Sequence, residues 1–404
     1  MELECLLWIG HMWKEVMSIF PAKNVRALPS EIVFEILSRL PADEVLKCRR
    51  VSKEWRAIVP TPYFSRYHLA RASPIVLIQY LIPEISNCGD SVLKLYFLDL
   101  GAKKKQMVKD YCSKPAFVMP KRLHRVLFSY NGLIVLETAY FRLESPNFSI
   151  YNPITQEEIT LKKPFGAGYL CAIYFHSLTR EYRLIYTYKT CIGNCWNYVI
   201  TATGKWIKLE TSSFAPPLKC APVNINGFVY WMIASKLIDY KAAFPPLCSA
   251  SVITFDTETE EIRVRAHPGK RCDRCQDEQL YMKLLNVENR LVYARIYLNL
   301  ITMWMLEDST EWLWAERYNI KLDFNVKQNP YMIGLPCYYI KLIYMQDGQL
   351  LIYWDGVGLF QYHLELKTLR KIDIKIKGFR LMSFTWVNLS FISYTKSFEF
   401  WGKG

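Results

Sequence analysis

Two patterns of hydrophobic and polar positions divide the chain near Ser73-Pro74. Before this point apolar residues recur at the spacing of amphipathic helices. After it, short runs of Val, Ile, Leu, Tyr and Phe alternate with polar turn residues, as in β-strands. The pattern therefore predicts a small all-α N-terminal piece, followed by a much longer, mainly-β domain.

The first predicted helix begins at Pro29, which suits the first helical position because that position needs no N–H donor. Pro41 ends this helix. An apolar stripe at i, i+4, i+5 and i+8 marks its buried side. The stripe consists of Ile32, Ile36, Leu37 and Leu40.

Two further short helices are predicted in the same piece. Asp43 begins the second, and Ser52 caps a third that carries Trp55. Pro60 and Pro62 are predicted to end the helical stretch. Three helices this short bury little surface, and their apolar residues exceed what one face can hide. We expect the module to complete its core against its own C-terminal domain or another protein.

A strand–turn–strand cassette recurs through the β-rich part. Its polar turn falls at positions 99, 152, 201, 256, about 304 and 363. The interval of about 50 residues is close to the period of kelch-type propeller blades. A β-sandwich also uses many short strands, but it would not explain this recurrence.

Hairpin signals precede several cassettes. Asn131-Gly132 and Asn226-Gly227 lie between apolar runs, with weaker echoes at Glu288-Asn289 and Asp347-Gly348. Such pairs favour tight hairpins because both residues tolerate positive φ. A hairpin plus a cassette makes about four strands per repeat. The sequence thus predicts a propeller-like domain of about six repeats.

The charge balance changes this picture little. The formal net charge is +14 and the pI is about 9.1, which permits contact with nucleic acid or anionic membranes. The basic residues are dispersed, with short clusters only at 103–105 and 121–125. We therefore expect no nucleic acid as the main partner.

Cysteine usage and hydropathy indicate a compartment. The chain has 12 cysteines at irregular spacing and shows no secretory signal. No apolar run approaches the roughly 20 residues of a membrane span. We expect free thiols in a reducing compartment, cytoplasmic and/or nuclear, and no membrane contact.

Catalytic and metal-binding signatures do not emerge. The sequence contains no G-x-S-x-G, H-E-x-x-H or Walker motif. Cys272-x-x-Cys275 and Cys191-x-x-x-Cys195 lack a matching pair at zinc-finger spacing, so surface thiols are the simpler interpretation. We expect no cofactor, no metal and no enzymatic activity.

Three segments resemble a plant-type F-box. They are 28–32, which begins with Leu28-Pro29, 35–41, which ends with Leu40-Pro41, and 50–55, which ends at Trp55. The rest of the chain resembles the kelch-like F-box-associated domain of plant F-box proteins. That similarity is carried by 131–133, 151–155, 226–231, 255–260 and 304–312. The resulting division is an unassigned extension at 1–26, an F-box at 27–67 and the associated domain at 74–396.

The resemblance implies a role in the ubiquitin conjugation pathway. F-box proteins of this kind are substrate-recognition subunits of SCF (Skp–cullin–F-box) ubiquitin ligases. The F-box binds a Skp-type adaptor, and cullin through it, while the associated domain recruits a protein substrate for ubiquitination and proteasomal degradation. The alternatives are an F-box scaffold acting outside a cullin ligase, or a propeller enzyme or sugar-binding protein.

The resemblance also implies which residues contact the adaptor. All are apolar or turn-setting prolines, as a helix-packed interface requires. They are Leu28, Pro29, Ile32, Ile36, Leu37, Leu40, Pro41, Val45, Leu46, Val51 and Trp55. For any one of them, a place in the module's own core is an equally good interpretation. The substrate-binding residues are unknown, with candidate loops at 190–197, 236–246 and 267–276.

Overall fold

The computed structural model places the chain in two compact units, Met1–Arg71 and Ala72–Gly404. The residues that it describes are 28–83, 91–98, 117–119, 123–139, 147–164, 168–189, 195–202, 204–216, 221–233, 251–269, 282–297, 300–322, 340–354, 358–372 and 388–401. The predicted extension at 1–26 lies outside them. Within these ranges, no helix has the length and apolar character needed to cross a membrane.

The described part of the N-terminal unit, residues 28–71, contains four helices rather than the three predicted. They are α1 (Ser30–Arg39), α2 (Ala42–Cys48), α3 (Lys53–Ile58) and α4 (Pro62–Arg71). Pro62 was wrongly expected to end the helical stretch; it is the first residue of α4, where a missing N–H costs nothing. Thr61 caps α4, accepting from the Phe64 N–H at 3.3 Å. Pro29 was also misplaced by the prediction, because it is the N-cap of α1 and not the first residue of that helix.

A small apolar core holds these helices together. Its buried members are Leu28, Val33, Leu37, Leu40, Ala42, Val45, Cys48, Val59 and Phe64. Phe34 meets Phe64 edge-to-face, with ring centroids 5.4 Å apart, which joins α1 to α4. The core is limited, and several apolar side chains of the unit remain outside it.

The second unit is a six-bladed β-propeller, as the repeats predicted. Its closing blade holds β1 (Ile75–Pro83), β2 (Ser91–Leu98) and β3 (Phe117–Met119), and also the last strand of the chain. Blade 1 holds β4 (Leu123–Tyr130), β5 (Leu133–Ala139), β6 (Asn147–Asn152) and β7 (Glu157–Leu161). Blade 2 holds β8 (Gly168–His176), β9 (Glu181–Lys189), β10 (Trp196–Ala202) and β11 (Lys205–Ser212).

The remaining blades follow the same order. Blade 3 holds β12 (Val223–Ile225), β13 (Phe228–Met232), β14 (Val252–Asp256) and β15 (Ile262–Arg265). Blade 4 holds β16 (Met282–Val287), β17 (Arg290–Tyr297), β18 (Leu300–Asp308) and β19 (Leu313–Lys321). Blade 5 holds β20 (Ile340–Gln346), β21 (Gln349–Trp354), β22 (Gly358–His363) and β23 (Thr368–Ile372). The chain returns to the closing blade as β24 (Asn388–Tyr394).

Pairing of the first and last strands closes the ring. β24 runs antiparallel to β1, from Ile75 opposite Tyr394 to Leu81 opposite Asn388. Hydrophobic clusters fill the space between every two neighbouring blades, including those on either side of the closing blade. Since each blade is covered on both faces, its middle strands are almost continuously apolar.

The propeller has two distinct ends. The hairpins that join the first to the second strand of a blade, and the third to the fourth, lie at one end, here called the turn face. The second-to-third strand connections and the links between blades lie at the other end, the connection face. Most turn-face hairpins are short, but the β2–β3 connection spans 99–116 and lies outside the described residues. Ile75 lies beside Tyr394 at the turn face, so the chain enters the propeller there.

The predicted tight hairpins are confirmed. Both central residues have positive φ in all four: 50° and 80° at Asn131-Gly132, 47° and 81° at Asn226-Gly227, 51° and 59° at Glu288-Asn289, and 48° and 68° at Asp347-Gly348. This is the backbone that a two-residue turn needs to match strand twist.

The cassettes are confirmed near 152, 201, 256 and 363, where a third strand turns into a fourth. The one expected near 304 is wrong, because Trp304 lies within β18 and the turn comes at 309–312. Asp308 accepts hydrogen bonds there from the N–H groups of Thr310 and Glu311, at 2.7 and 3.0 Å. The cassette at 99 lies outside the described residues.

Candidate adaptor interface

The structure divides the predicted adaptor residues into an inward and an outward group. Leu28, Leu37, Leu40 and Val45 are buried in the helical unit, and Leu37 and Val45 have no exposed surface. A buried apolar side chain stabilises its own fold, and little of its surface is left for a partner to cover. These four therefore belong to the core of the helical unit and are covered by its own side chains.

The outward group faces water. Pro29, Pro41 and Val51 are exposed, and Val51 is 60% exposed. The other members are half-buried. They are Ile32, Ile36, Leu46 and Trp55. Apolar groups in contact with water favour association with a partner that covers them.

Helix α3 is the helix of the unit whose side chains are least covered by the unit's own core. All of α3 is described, and it contains no buried residue. The Ser52 hydroxyl accepts from the Trp55 N–H at 3.1 Å, which fixes the start of the helix as the sequence predicted. Helix α3 packs beside α1, so Trp55 and Ile36 lie on neighbouring helices. The cap thus fixes the start of a helix that carries Trp55, and tryptophan is a residue type enriched at the centres of protein interfaces.

A charged cluster missed by the sequence reasoning orients α1. Glu35 accepts from Arg39 Nε and Nη2 at 2.9 and 2.7 Å, and from Arg71 Nη1 at 3.3 Å. Arg71 also donates to the Ser38 hydroxyl at 2.8 Å. The hydrogen bond from Arg39 is the largest cause of a lowered pKa at Glu35. The cluster joins α1 to α4, and only the i,i+4 spacing of Glu35 and Arg39 was visible in the sequence.

Aromatic residues on α4 were also missed. The Phe34 ring lies 5.3 Å from Tyr63 and 5.2 Å from Tyr67, measured between centroids. Tyr63 remains 71% exposed. The i,i+4 spacing of the two tyrosines is the signal that could have revealed this fourth helix.

The candidate substrate loops share one end of the propeller. They connect β9 to β10, β13 to β14 and β15 to β16, so all three belong to the connection face. Most of their residues lie outside the described ranges. At the described margins, Trp196 is 8% exposed and the His267 ring stacks on Tyr293 at 5.4 Å.

One polar cluster between two blades of the propeller is internally paired. Between blades 2 and 3, Glu260 accepts from Tyr174 Oη at 2.6 Å and from Arg183 Nη1 at 2.5 Å. Burial and the Glu260 contact raise the pKa of Tyr174. Of the predicted surface cysteines, only Cys195 falls within the described ranges, where it is half-buried. No group of three or more His, Cys, Asp or Glu there could hold a metal ion.

Family comparisons account for both units. Residues 26–67 match the model of the F-box domain, and residues 88–395 match that of the F-box associated beta propeller domain. The second match alone covers more than half of the chain.

Similar proteins include several F-box proteins of Arabidopsis thaliana. One is 25% identical over 74% of this chain and 72% of its own length. Another is 22% identical over 87% of this chain and 91% of its own length. For a third, at 22% identity, this chain spans only 62% of the relative.

Solved structures add only distant likenesses. An oligogalacturonate lyase in complex with manganese aligns at a TM-score of 0.38 and 9% identity, over 75% of this chain and 86% of that one. The propeller domain of the Trilobed protease from Pyrococcus furiosus aligns at 0.34 and 11%, over 62% and 70%. Scores at this level support no argument about activity.

Proposed function

Because the chain belongs to the F-box proteins that carry an F-box-associated β-propeller domain, we propose that it is the substrate-recognition subunit of an SCF-type ubiquitin ligase. Proteins of this family are typically non-catalytic adaptors, and the F-box domain implies binding to a Skp-type adaptor. In the proposed role the chain binds cullin through the adaptor and recruits a protein substrate for ubiquitination and degradation. It acts in the cytoplasm and/or nucleus.

One observation carries the adaptor half of this proposal. The F-box module leaves apolar side chains outside its core, and they lie at positions where the resemblance implies adaptor contact. Val51 is 60% exposed and Trp55 is half-buried on a helix with no buried residue. Burial of such a side chain in an interface contributes about 1.5–3 kcal/mol when it is complete. The adaptor would supply the missing cover.

The mechanism in this role is recruitment. The chain would hold a substrate so that one of its lysines stays close to the transfer machinery, which raises the effective concentration of the reacting groups. The thioester and its transfer would belong to other subunits. No proton transfer or nucleophile is required of this chain.

Two single variants test the adaptor contact. Val51→Glu places a charge in an apolar contact, and Trp55→Ala removes the anchor, so each is expected to weaken adaptor binding about tenfold or more. Leu366→Glu is the matched control, since Leu366 is 68% exposed on a propeller turn. Binding would be measured by co-purification and titration with the adaptor, with helix content checked by circular dichroism.

The outcomes separate the alternatives. If Val51→Glu and Trp55→Ala bind adaptor as tightly as the wild type, the assigned interface is wrong. If the wild-type chain binds adaptor but never assembles with cullin, it acts as a scaffold outside a cullin ligase.

A further inference from the structure

The outer strand of blade 2 presents a free backbone edge. β11 pairs with β10 and forms the rim of its sheet. In an antiparallel ladder, every second residue turns its N–H and C=O away from the neighbouring strand. Among the strands that the structure describes, none pairs with β11 on the side that points away from β10. An edge of this kind can accept an added strand from another chain.

β11 is better suited to strand addition than the other described outer strands. It has eight residues, whereas β3, β7, β15 and β23 have three to five. β19 has nine, but its register against β18 shifts twice, and its Arg317 is held in an ion pair by Glu307. From Lys205 to Lys208 the register of β11 against β10 is continuous. This stretch can therefore form consecutive hydrogen bonds with a new strand.

The side chains of β11 determine what an added strand would meet. Lys205 and Lys208 are exposed, and Ile207 between them is 48% exposed. Because side chains alternate along a strand, Lys205 and Ile207 share one face of the sheet. Trp206 and Lys208 share the other face, which is directed towards blade 1 because Trp206 packs against the cluster between blades 1 and 2. A strand added here would have a lysine beside it on each face.

Blade 1 places two more lysines beside this edge. Trp206 Nε1 donates to the Lys162 carbonyl oxygen at 3.0 Å, which holds the residues after β7 against β11. Lys163 Nζ lies 5.9 Å from the centroid of the Tyr186 ring, and that ring lies 5.8 Å from the ring of Trp206. A cation–π contact is favourable without neutralising the charge. The acidic pair at 157–158 lies at the opposite end of β7.

The positive charge of the edge is open to a partner. Glu210 is the acidic residue of β11, and its carboxylate accepts from the Ile262 N–H of blade 3 at 2.9 Å. In the described part of the chain, no ion pair engages Lys162, Lys205 or Lys208. These lysines can therefore bind the carboxylates of another chain.

We propose that the edge of β11 binds an extended, acidic segment of the protein substrate as an added strand. This inference rests on the proposed receptor function and adds the binding edge and the chemistry of the segment. Carboxylates opposite Lys205 and Lys208 form favourable cross-strand pairs, and an apolar residue between them covers Ile207. A second copy of β11 would bring more lysines to an edge that already carries them, which disfavours self-pairing. A nucleic-acid backbone offers no amide groups for a β-ladder, so a peptide is the better fit.

Charge reversal tests the edge. Lys205→Glu with Lys208→Glu reverses both charges of β11. The matched control is Lys367→Glu with Arg370→Glu, an exposed pair at the same spacing in or directly before the outer strand of blade 5. Each full-length protein would be purified with its adaptor and titrated with a fluorescent peptide that carries one Glu-Val-Thr-Glu core between serines.

The β11 variant is expected to bind this peptide about tenfold more weakly, while the control variant binds as the wild type does. Equal loss in both variants, or no peptide binding by the wild type, would overturn the proposal. Adaptor co-purification is scored on the same samples. Failure of the proposed receptor function would therefore appear separately, as loss of adaptor.

Two N-methylated forms of the peptide test whether a strand is added. One form carries methyl groups on every second amide, and the other carries them on the remaining amides. Because an added strand pairs with β11 along one of its edges, one form should bind about tenfold or more weakly than the other. Equal binding by the two forms would contradict strand addition, since the lysines would then attract charge without forming a ladder.

Competition and self-association measurements separate the other occupants of this edge. If single-stranded DNA displaces the peptide at far lower concentration than unlabelled peptide does, the edge is a nucleic-acid site and the proposal is wrong. The proposal is equally wrong if the wild type self-associates in sedimentation experiments and Lys205→Glu with Lys208→Glu abolishes this, because a second copy would then occupy the edge. Displacement by unlabelled peptide and a monomeric chain are the expected results.

Discussion

At the scale of single residues, burial of His68 makes the stability of the helical unit depend on pH. His68 is 3% exposed on α4, and its Nε2 lies 2.8 Å from the Leu40 carbonyl oxygen that follows α1. Burial lowers its pKa below the ordinary value, and the bond to Leu40 only partly opposes this. The folded unit therefore favours neutral imidazole, whose Nε2–H donates to the carbonyl.

The lowered pKa predicts that the helical unit loses stability in mild acid. Above the unfolded-state pKa of about 6.5 neither state is protonated and the stabilisation is complete. As pH falls below that value the unfolded state binds a proton first, so stability declines until the folded-state pKa is passed. Urea unfolding followed by helical circular dichroism between about pH 8 and pH 5 measures this. His68→Gln, which keeps an N–H donor, should flatten the profile, and an unchanged slope would contradict the prediction.

Individual adaptor residues show where sequence reasoning stops. Helical spacing placed Ile32, Ile36 and Leu37 on one stripe, but Leu37 has no exposed surface while the two isoleucines are half-buried. Periodicity identifies an apolar face without telling whether the fold or a partner covers it. Val51 was indistinguishable from a core residue until its 60% exposure was known.

At the scale of elements, hairpins differ in how far their turns can be predicted from the local sequence. Asn131-Gly132 and Asp347-Gly348 were predicted because positive φ at two adjacent residues needs those residue types. The β8–β9 turn at 177–180 gave no such signal, since Leu178 lies at its tip and Arg180 takes φ of 55°. Tertiary packing on both sides of a blade imposes turns that local propensity does not predict.

Alanine substitution at two glycines in the same type of hairpin is expected to cost different amounts of stability. Gly132 has φ of 80°, and a Cβ there would collide with the Ser397 side chain and backbone; Gly348 has φ of 68° and open space around it. Gly348→Ala should cost about 1–2 kcal/mol from left-handed strain alone. Gly132→Ala should cost about 1–3 kcal/mol more from overpacking. Chemical unfolding measures both, and equal costs would show that Ser397 moves aside freely.

At the scale of the whole molecule, the sequence period predicted the number of blades but not how the ring closes. The fifty-residue recurrence follows from local turns, whereas β24 is the last strand of the propeller and pairs with β1, its first. Pairing at such a sequence separation leaves no local signal, because any apolar strand could in principle complete the blade.

A C-terminal segment, 395–401, secures that closure. Asn152 Nδ2 donates to the Ser397 and Glu399 carbonyl oxygens at 3.1 and 2.6 Å, and Tyr182 Oη donates to Glu399 Oε2 at 2.8 Å. The Ser397 hydroxyl donates to the Asn131 carbonyl oxygen at 2.5 Å. The segment thus ties the closing blade to blades 1 and 2 at the turn face, through buried polar groups that need their partners.

Truncation from the C-terminus should therefore destabilise the propeller in two steps. A chain ending after Thr395 keeps β24 but leaves Asn152 and Tyr182 without these partners, which should cost about 3 kcal/mol or more. A chain ending after residue 387 exposes the β1 edge and opens two inter-blade clusters, so no cooperative unfolding transition is expected. Phe400→Ser, at an exposed position of the segment, should stay within about 0.5 kcal/mol of the wild type. Adding the 388–401 peptide to the chain that ends at residue 387 should restore the cooperative transition. If that shorter chain is as stable as the wild type without the peptide, closure of the ring by β24 is refuted.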